Sequence, residues 1–379
     1  MVAMSGTAAP EVSPSNLFPS MTAKGYEQIC FCHDRSSGLR AIIAIHDTTL
    51  GPALGGIRMR PYPTEQAALK DVLRLSRAMT FKSAVAGLNL GGGKSVIIGD
   101  SSQKSEALFR AMGRFIHSLG GRYLAATDVG TTSDDLTYVR METPYVTGIS
   151  EAWGGLGDTS LLTGLTVYLG MKAGAEAVWG SDSLAGKCVM VQGAGKVGMH
   201  LMEYLHSEGA RILVSDVATE RVGAMAERFH ATVVPPGDVF DEDCDIFSPN
   251  ALGDVLNDET IPRLRCKLVC GGANNQLGEP RHGDVLHRIG ILYMPDYVVN
   301  SGGVISAESE ILHAPRSRAE EIAQRVGRTA REVLRLASAE GLAPSVAADR
   351  WAQDRLDGIA AVHRPYVASD PRHFRELLP

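Results

Sequence analysis

The chain has 379 residues, 44% hydrophobic, 21% charged and 6% aromatic, the composition of an ordinary globular protein with enough chain for about two domains. Its 37 basic and 43 acidic residues leave a net charge of -6, which disfavours nucleic acid and other polyanions as partners. No apolar run approaches the roughly 18–20 residues of a membrane span, and the first residues lack the basic start and apolar stretch of a secretory signal. We therefore expect a cytoplasmic protein without a membrane partner. Six cysteines, at 30, 32, 188, 244, 266 and 270, form no pair with zinc spacing and read as free thiols, so no metal is expected.

Residues 1–24 read as a disordered extension. Two β-rich runs, Tyr26–Cys32 and Leu39–His46, flank the turn-rich Asp34–Gly38 and predict a hairpin. A helix follows, capped by Thr64, with Glu65 in its first turn and Leu69, Val72, Leu73, Ser76 and Met79 at helical spacing. A strand (Lys94–Ile98), an amphipathic helix through Leu108, Met112, Phe115, Ile116 and Leu119, and a strand (Arg122–Ala126) complete an α/β domain over residues 25–150. A helix from about Leu161 to Val178 leads into a second domain, residues 151–340. There the strands Cys188–Gln192 and Arg211–Ser215 alternate with the helices Val197–His206 and Glu220–Phe229. Further strands are expected at Cys244–Phe247, Leu268–Cys270 and Ile291–Met294. Such alternation predicts a doubly wound parallel sheet. Arg316–Leu342 and Ala347–Val362 are helical in pattern; residues 341–379 form a C-terminal helical segment, and these last helices are expected to pack back on the first domain.

Gly193-Ala194-Gly195-Lys196-Val197-Gly198 follows a predicted strand and opens a predicted helix, the setting in which GxGxxG reads as a Rossmann-type dinucleotide fingerprint. The glycines permit a tight turn and close approach of a pyrophosphate, met by N–H groups at the helix N-terminus. Asp216 ends the next strand, where a carboxylate receives the adenosine ribose hydroxyls and repels a 2′-phosphate, favouring NAD over NADP. Helix capping is the plainer reading of Asp216. A second cluster, Leu88-Asn89-Leu90-Gly91-Gly92-Gly93-Lys94-Ser95, is not a phosphate-binding P-loop, because GxxxxGK[ST] needs glycine where Leu88 stands. It reads instead as a glycine loop that delivers Lys94 at the start of a strand, close to a small substrate. Lys82 lies just past the end of the preceding helix. Two lysines sharing one site would divide the work, one with a lowered pKa as general base and one cationic to hold a carboxylate. Asp128, at a strand end before Val129-Gly130-Thr131-Thr132, adds a carboxylate that serves either the site or the loop.

Several motifs in order, Gly51-Pro52-Ala53-Leu54-Gly55-Gly56-Ile57-Arg58, Met79-Thr80-Phe81-Lys82, LNLGGGKSVI, Thr127–Thr132, Ser248–Gly253, Gly272–Gln276 and Pro295–Gly303, closely resemble the leucine/phenylalanine/valine dehydrogenases of the amino-acid dehydrogenase superfamily. The resemblance covers roughly residues 25–345. It implies NAD-dependent conversion of an apolar L-amino acid to its 2-oxo acid with release of ammonia, and the reverse, in a homo-oligomer. It further implies that Lys82 binds the substrate carboxylate, that Lys94 activates the attacking water and that Asp128 shuttles protons. Leu54, Gly55, Gly56, Met79, Asn274, Asn300, Val304 and Ala307 match substrate-side positions. Thr163, Gly193, Gly195, Lys196, Val197, Gly198, Asp216, Ala251 and Asn274 match cofactor-side ones. Related glutamate dehydrogenases carry lysine where Leu54 stands, so an acidic substrate side chain is expected to be rejected. Thr127, Asn250 and the Leu161-Leu162 pair depart from the family pattern without removing a catalytic group. The rival readings are an idle NAD-binding sensor or scaffold and a nucleotide-hydrolysing protein.

Overall fold

The two β-rich runs at the start of the chain close as the hairpin their sequence predicts, with β1 (Gln28–Asp34) antiparallel to β2 (Leu39–Asp47). The structure, a computed structural model, describes residues 17–361. These fall into two compact units: 17–84, 89–157 and 356–361 form the first, and 85–88 and 158–355 the second.

In the first unit, β3 (Ala53–Arg60), β4 (Gly91–Ile98) and β5 (Tyr123–Thr127) join the hairpin in a mixed sheet of order β1-β2-β4-β3-β5. β4 is antiparallel to β2 and parallel to β3, which is parallel to β5. Four helices accompany it: α1 (Leu17–Lys24), α2 (Glu65–Val85), α3 (Glu106–Ser118) and α4 (Ser133–Arg140). The Thr64 hydroxyl caps α2 by accepting the Ala67 N–H at 3.1 Å. The apolar face of α2, Ala68, Leu69, Val72 and Leu73, packs on Ile42, Ala44 and Val96 of the sheet. Helix α3 buries Leu108, Phe109, Met112 and Ile116.

Several local expectations change. Leu17–Lys24 is helical where the sequence suggests disorder, because Leu17 and Met21 pack on the cluster beneath α2; residues 1–16 lie outside the described residues. Helix α2 continues to Val85, so Lys82 stands in its last turn rather than past its end. Gly91–Gly93 is not a loop but the start of β4. A Cβ on Gly92 would stand 2.1 Å from the Thr80 N–H nitrogen, so glycine there lets α2 lie close on the sheet. Strand β3 escapes the β-propensity pattern because its centre is Gly55-Gly56. These glycines are required by crowding: a Cβ on Gly55 would meet the Gly93 carbonyl oxygen at 1.8 Å.

The second unit holds a parallel sheet of β6 (Cys188–Gln192), β7 (Arg211–Ser215), β8 (Thr232–Val233), β9 (Ile246–Pro249), β10 (Leu268–Val269) and β11 (Leu292–Tyr293). Its order, β11-β10-β9-β6-β7-β8, is that of a Rossmann domain, with the topological switch between β6 and β9. Strand β8 carries no clear sequence signal, and β9 begins at Ile246 rather than Cys244. The helices are α5 (Ser160–Trp179), α6 (Lys196–Glu208), α7 (Thr219–Phe229), α8 (Arg281–Arg288), α9 (Asp296–Val299), α10 (Gly302–Ile311), α11 (Arg316–Glu340) and α12 (Pro344–Ala360). Helix α11 packs along α5 within this unit, and the end of α12, from Leu356, groups with the first unit. Among the described residues no helix is long and apolar enough to cross a membrane.

Candidate active site

In the first unit, strand register assembles a charged cluster from residues far apart in sequence. β5 pairs Ala126 with Gly56 and Thr127 with Ile57, which brings Asp128 beside the end of β3. β4 places Val96 beside Arg58, and Lys94, two residues earlier, shares that face of the sheet. The Lys94 Nζ lies 3.0 Å from Asp128 Oδ2, and the two side chains are only 7% and 15% exposed. Arg58 Nε donates to the same oxygen at 2.7 Å. The Asp128 backbone is fixed as well, because its N–H donates to Thr131 Oγ1, which in turn donates to the Ile57 carbonyl at 2.8 Å.

Burial drives the Lys94 pKa down, with Arg58 adding to the fall and Asp128 opposing it. For Asp128, burial favours the neutral acid, but Lys94 and Arg58 outweigh it and hold the carboxyl below its usual range. A lysine primed to lose a proton thus sits against a carboxylate that stays ionised, an arrangement suited to general acid–base chemistry. Lys82 lies half-buried in the last turn of α2, the helix covering this face, and Met79 is half-buried one turn earlier. Leu54, Gly55 and Gly56 are buried in β3. Arg58, Asp71 and Tyr62 belong to the cluster without having been singled out for a role by sequence. Arg58 Nη1 donates to Asp71 Oδ2 at 3.1 Å, and the Tyr62 hydroxyl donates to the same oxygen at 2.7 Å. The available signal was a basic residue in phase with buried positions of an apolar run.

In the second unit, the turn after β6 has the shape its glycines foretell. Gly193 adopts φ 106°, and a Cβ on Gly198 would stand 2.1 Å from the Gly193 carbonyl oxygen, so strand and helix meet too closely for a side chain. Gly195 is the N-cap of α6, which has no side-chain cap, and a Cβ there would meet nothing within 4 Å. Open space in front of uncapped helix N–H groups fits a pyrophosphate. Lys196 is exposed and pairs with Asp158 at 2.9 Å, and Val197 is half-buried. Asp216 follows β7 and accepts the N–H groups of Ala194 and Ala218 at 2.8 and 2.9 Å. Burial opposes its charge, but these two donors and Arg221 keep it ionised. Asp216 therefore braces the turn while part of it remains exposed.

Around the ends of β9 and β10, Asn250 Oδ1 accepts the Gly272 N–H at 2.8 Å. Asn300 Nδ2 donates to the carbonyls of Gly272 and Ala273, both at 3.2 Å, and to Asn274 Oδ1 at 3.0 Å. Asn300 is buried, and its Oδ1 has no hydrogen-bond partner. Ala251 and Asn274 are exposed in these loops. Thr163, in the first turn of α5, donates to the Thr159 carbonyl at 3.1 Å. Val304 and Ala307 are buried on α10.

Comparison with known proteins identifies the family. Residues 26–145 match the model of the Glu/Leu/Phe/Val dehydrogenase dimerisation domain, and residues 214–346 that of Glutamate/Leucine/Phenylalanine/Valine dehydrogenase. The chain is 51% identical over 352 residues to leucine dehydrogenase of Geobacillus stearothermophilus, covering 93% of this chain and 96% of the relative. It is 47% identical to valine dehydrogenase of Streptomyces albus, covering 92% and 97%. Among solved structures, L-tryptophan dehydrogenase from Nostoc punctiforme superposes with a TM-score of 0.81 at 42% identity, covering 91% of this chain and all of that one. The chain belongs to the glutamate/leucine/phenylalanine/valine dehydrogenase family.

Proposed function

We propose that this protein is an NAD-dependent L-amino-acid dehydrogenase for apolar side chains, interconverting the amino acid with its 2-oxo acid and ammonia. The observation that carries the reading is the buried contact of Lys94 with Asp128, held by Arg58, in a chain that also has an open, uncapped dinucleotide turn. We assign the substrate chemistry to the first unit and nucleotide binding to the second. The nicotinamide cofactor supplies the hydride acceptor when bound. Gly193, Gly195 and Gly198 would admit its pyrophosphate, with Lys196, Val197 and Ala251 alongside, and Asp216 its adenosine ribose, a carboxylate that favours NAD over NADP. Thr163 and Asn274 would meet its amide end, with Asn300, which donates to Asn274 Oδ1, on the substrate side.

Lys82 supplies a cation for the substrate carboxylate. Lys94, its ammonium disfavoured by burial, takes the proton of the water that attacks the substrate imine carbon. Asp128, ionised beside it, moves a proton at the substrate nitrogen. Leu54, buried and apolar, has no charge for an acidic side chain, and the leucine, valine and tryptophan dehydrogenases among the relatives support an apolar substrate. Homo-oligomeric assembly belongs to the same proposal, supported by the dimerisation-domain model over residues 26–145.

The test is cofactor reduction on a panel of Leu, Val, Ile, Phe, Trp, Tyr and Glu, with NAD and NADP in parallel and reductive amination in reverse. Lys94→Ala is expected to keep NADH binding and lose about 10²- to 10⁴-fold in turnover. Silence across the panel with NADH still bound would turn the reading toward an NAD-binding sensor.

A further inference from the structure

Five side chains of the first unit form one continuous polar chain. The Tyr62 hydroxyl donates to Asp71 Oδ2, which also accepts Arg58 Nη1, while Arg58 Nε donates to Asp128 Oδ2, the atom that meets Lys94. Arg58, Asp71 and Asp128 are 11%, 12% and 15% exposed at the side chain. Burying alternating charges is a poor way to gain stability, since desolvation cancels most of the attraction. A buried ion pair that terminates on a reacting group therefore calls for another explanation. Arg58 uses two separate nitrogens of a rigid planar group on two carboxylates that stand on different elements, one on α2 and one after β5. A lysine ammonium has no such fork.

We infer that Arg58 is a positioning residue: anchored by Asp71 and Tyr62, it fixes the orientation and charge of Asp128 and thereby the proton balance of Lys94. This rests on the reading of Lys94 and Asp128 as the acid–base groups. The groups that face Asp128 are Arg58 from β3 and Lys94 from β4; Tyr123 of β5 lies on the other face of the sheet, where its hydroxyl donates to the Gly55 carbonyl and lies 3.0 Å from the Ser95 hydroxyl. Asp71 stands behind Arg58 on α2, with Tyr62 and, at 3.4 Å, Arg74 against it.

The charges have opposite effects on Lys94: Arg58 favours its neutral amine, Asp71 its ammonium. Removing the Arg58 charge therefore raises the pH at which Lys94 and Asp128 are both deprotonated, and removing the Asp71 charge lowers it. The experiment is the pH dependence of kcat/KM for amino-acid oxidation, read on the ascending limb. Arg58→Gln is expected to move that limb upward by about one pH unit or more, and Asp71→Asn to move it downward. Arg58→Lys, which keeps the charge but loses the fork, is expected to leave the limb near its wild-type position while kcat falls about 10²-fold. NADH affinity stays unchanged in all three.

A purely structural role would lower thermal stability in every variant and leave the limb where it was. Limbs that do not move, or that move in the same direction in Arg58→Gln and Asp71→Asn, overturn the inference. Should Arg58→Gln not fold, the downward shift in Asp71→Asn and the kcat loss in Arg58→Lys decide it together. A wild-type chain that oxidises no amino acid overturns the functional reading and this one with it, whereas an active wild type with unmoved limbs overturns only the role of Arg58.

Discussion

Gly195→Ala separates a glycine kept for the fold from one kept for a ligand. Its backbone, φ -72° and ψ -175°, is open to any residue, and the added methyl meets nothing within 4 Å. Replacing glycine with alanine at a compatible position removes unfolded-state freedom and stabilises by about 0.4–1 kcal/mol. At an N-cap, alanine gives back a comparable amount, roughly 0.5–1 kcal/mol. The two nearly cancel, so the melting temperature is expected to stay within about 3 °C of wild type. The ligand is affected differently, because the methyl fills the space before the first N–H groups of α6. Loss of one hydrogen bond from those groups to a charged phosphate is worth about 1.5–3 kcal/mol, which is about a 10- to 100-fold weaker Kd. Thermal unfolding with titration of NADH fluorescence measures both quantities on one sample. A folded Gly195→Ala that binds NADH like wild type would refute the assignment of this turn to the pyrophosphate.

Two further outcomes follow from buried or bracing charges. Burial lowers the His46 pKa from 6.5 to about 4, and its ring spans the Thr80 hydroxyl at 2.8 Å and the Lys24 carbonyl at 3.1 Å. Because the folded value is the lower one, the contribution to stability is complete above pH 6.5 and is lost as pH falls toward 4. At most about 3 kcal/mol is at stake. Urea unfolding of the wild type between pH 7 and 4 is expected to show this loss, and His46→Gln to flatten it; equal acid sensitivity in the two would count against it. Asp216→Asn is expected to lower the preference for NAD over NADP by about tenfold or more, since a carboxylate no longer faces the 2′-phosphate. An unchanged ratio of kcat/KM values would mean that Asp216 serves only as the brace for Ala194 and Ala218.

The strand, glycine turn and helix from Cys188 to Glu208 are legible in sequence because every cause is local. An apolar strand run, glycines at fixed spacing and an amphipathic helix follow one another directly, and Asp216 completes the set at the end of the next strand. Lys94 and Asp128 were likewise visible as chemical groups at strand positions, and the motif order sufficed for the family. Their contact was not visible, nor was Arg58 between them, because the partners are up to 70 residues apart and meet only through the registers of β3, β4 and β5. Periodicity tells a residue which way to face, not which strand lies beside it. The same limit hid β3 and the first residues of β4. Glycine has low strand propensity when read alone, and only tertiary structure supplies the crowding of the Gly93 carbonyl and of α2 that makes glycine the residue these strands require.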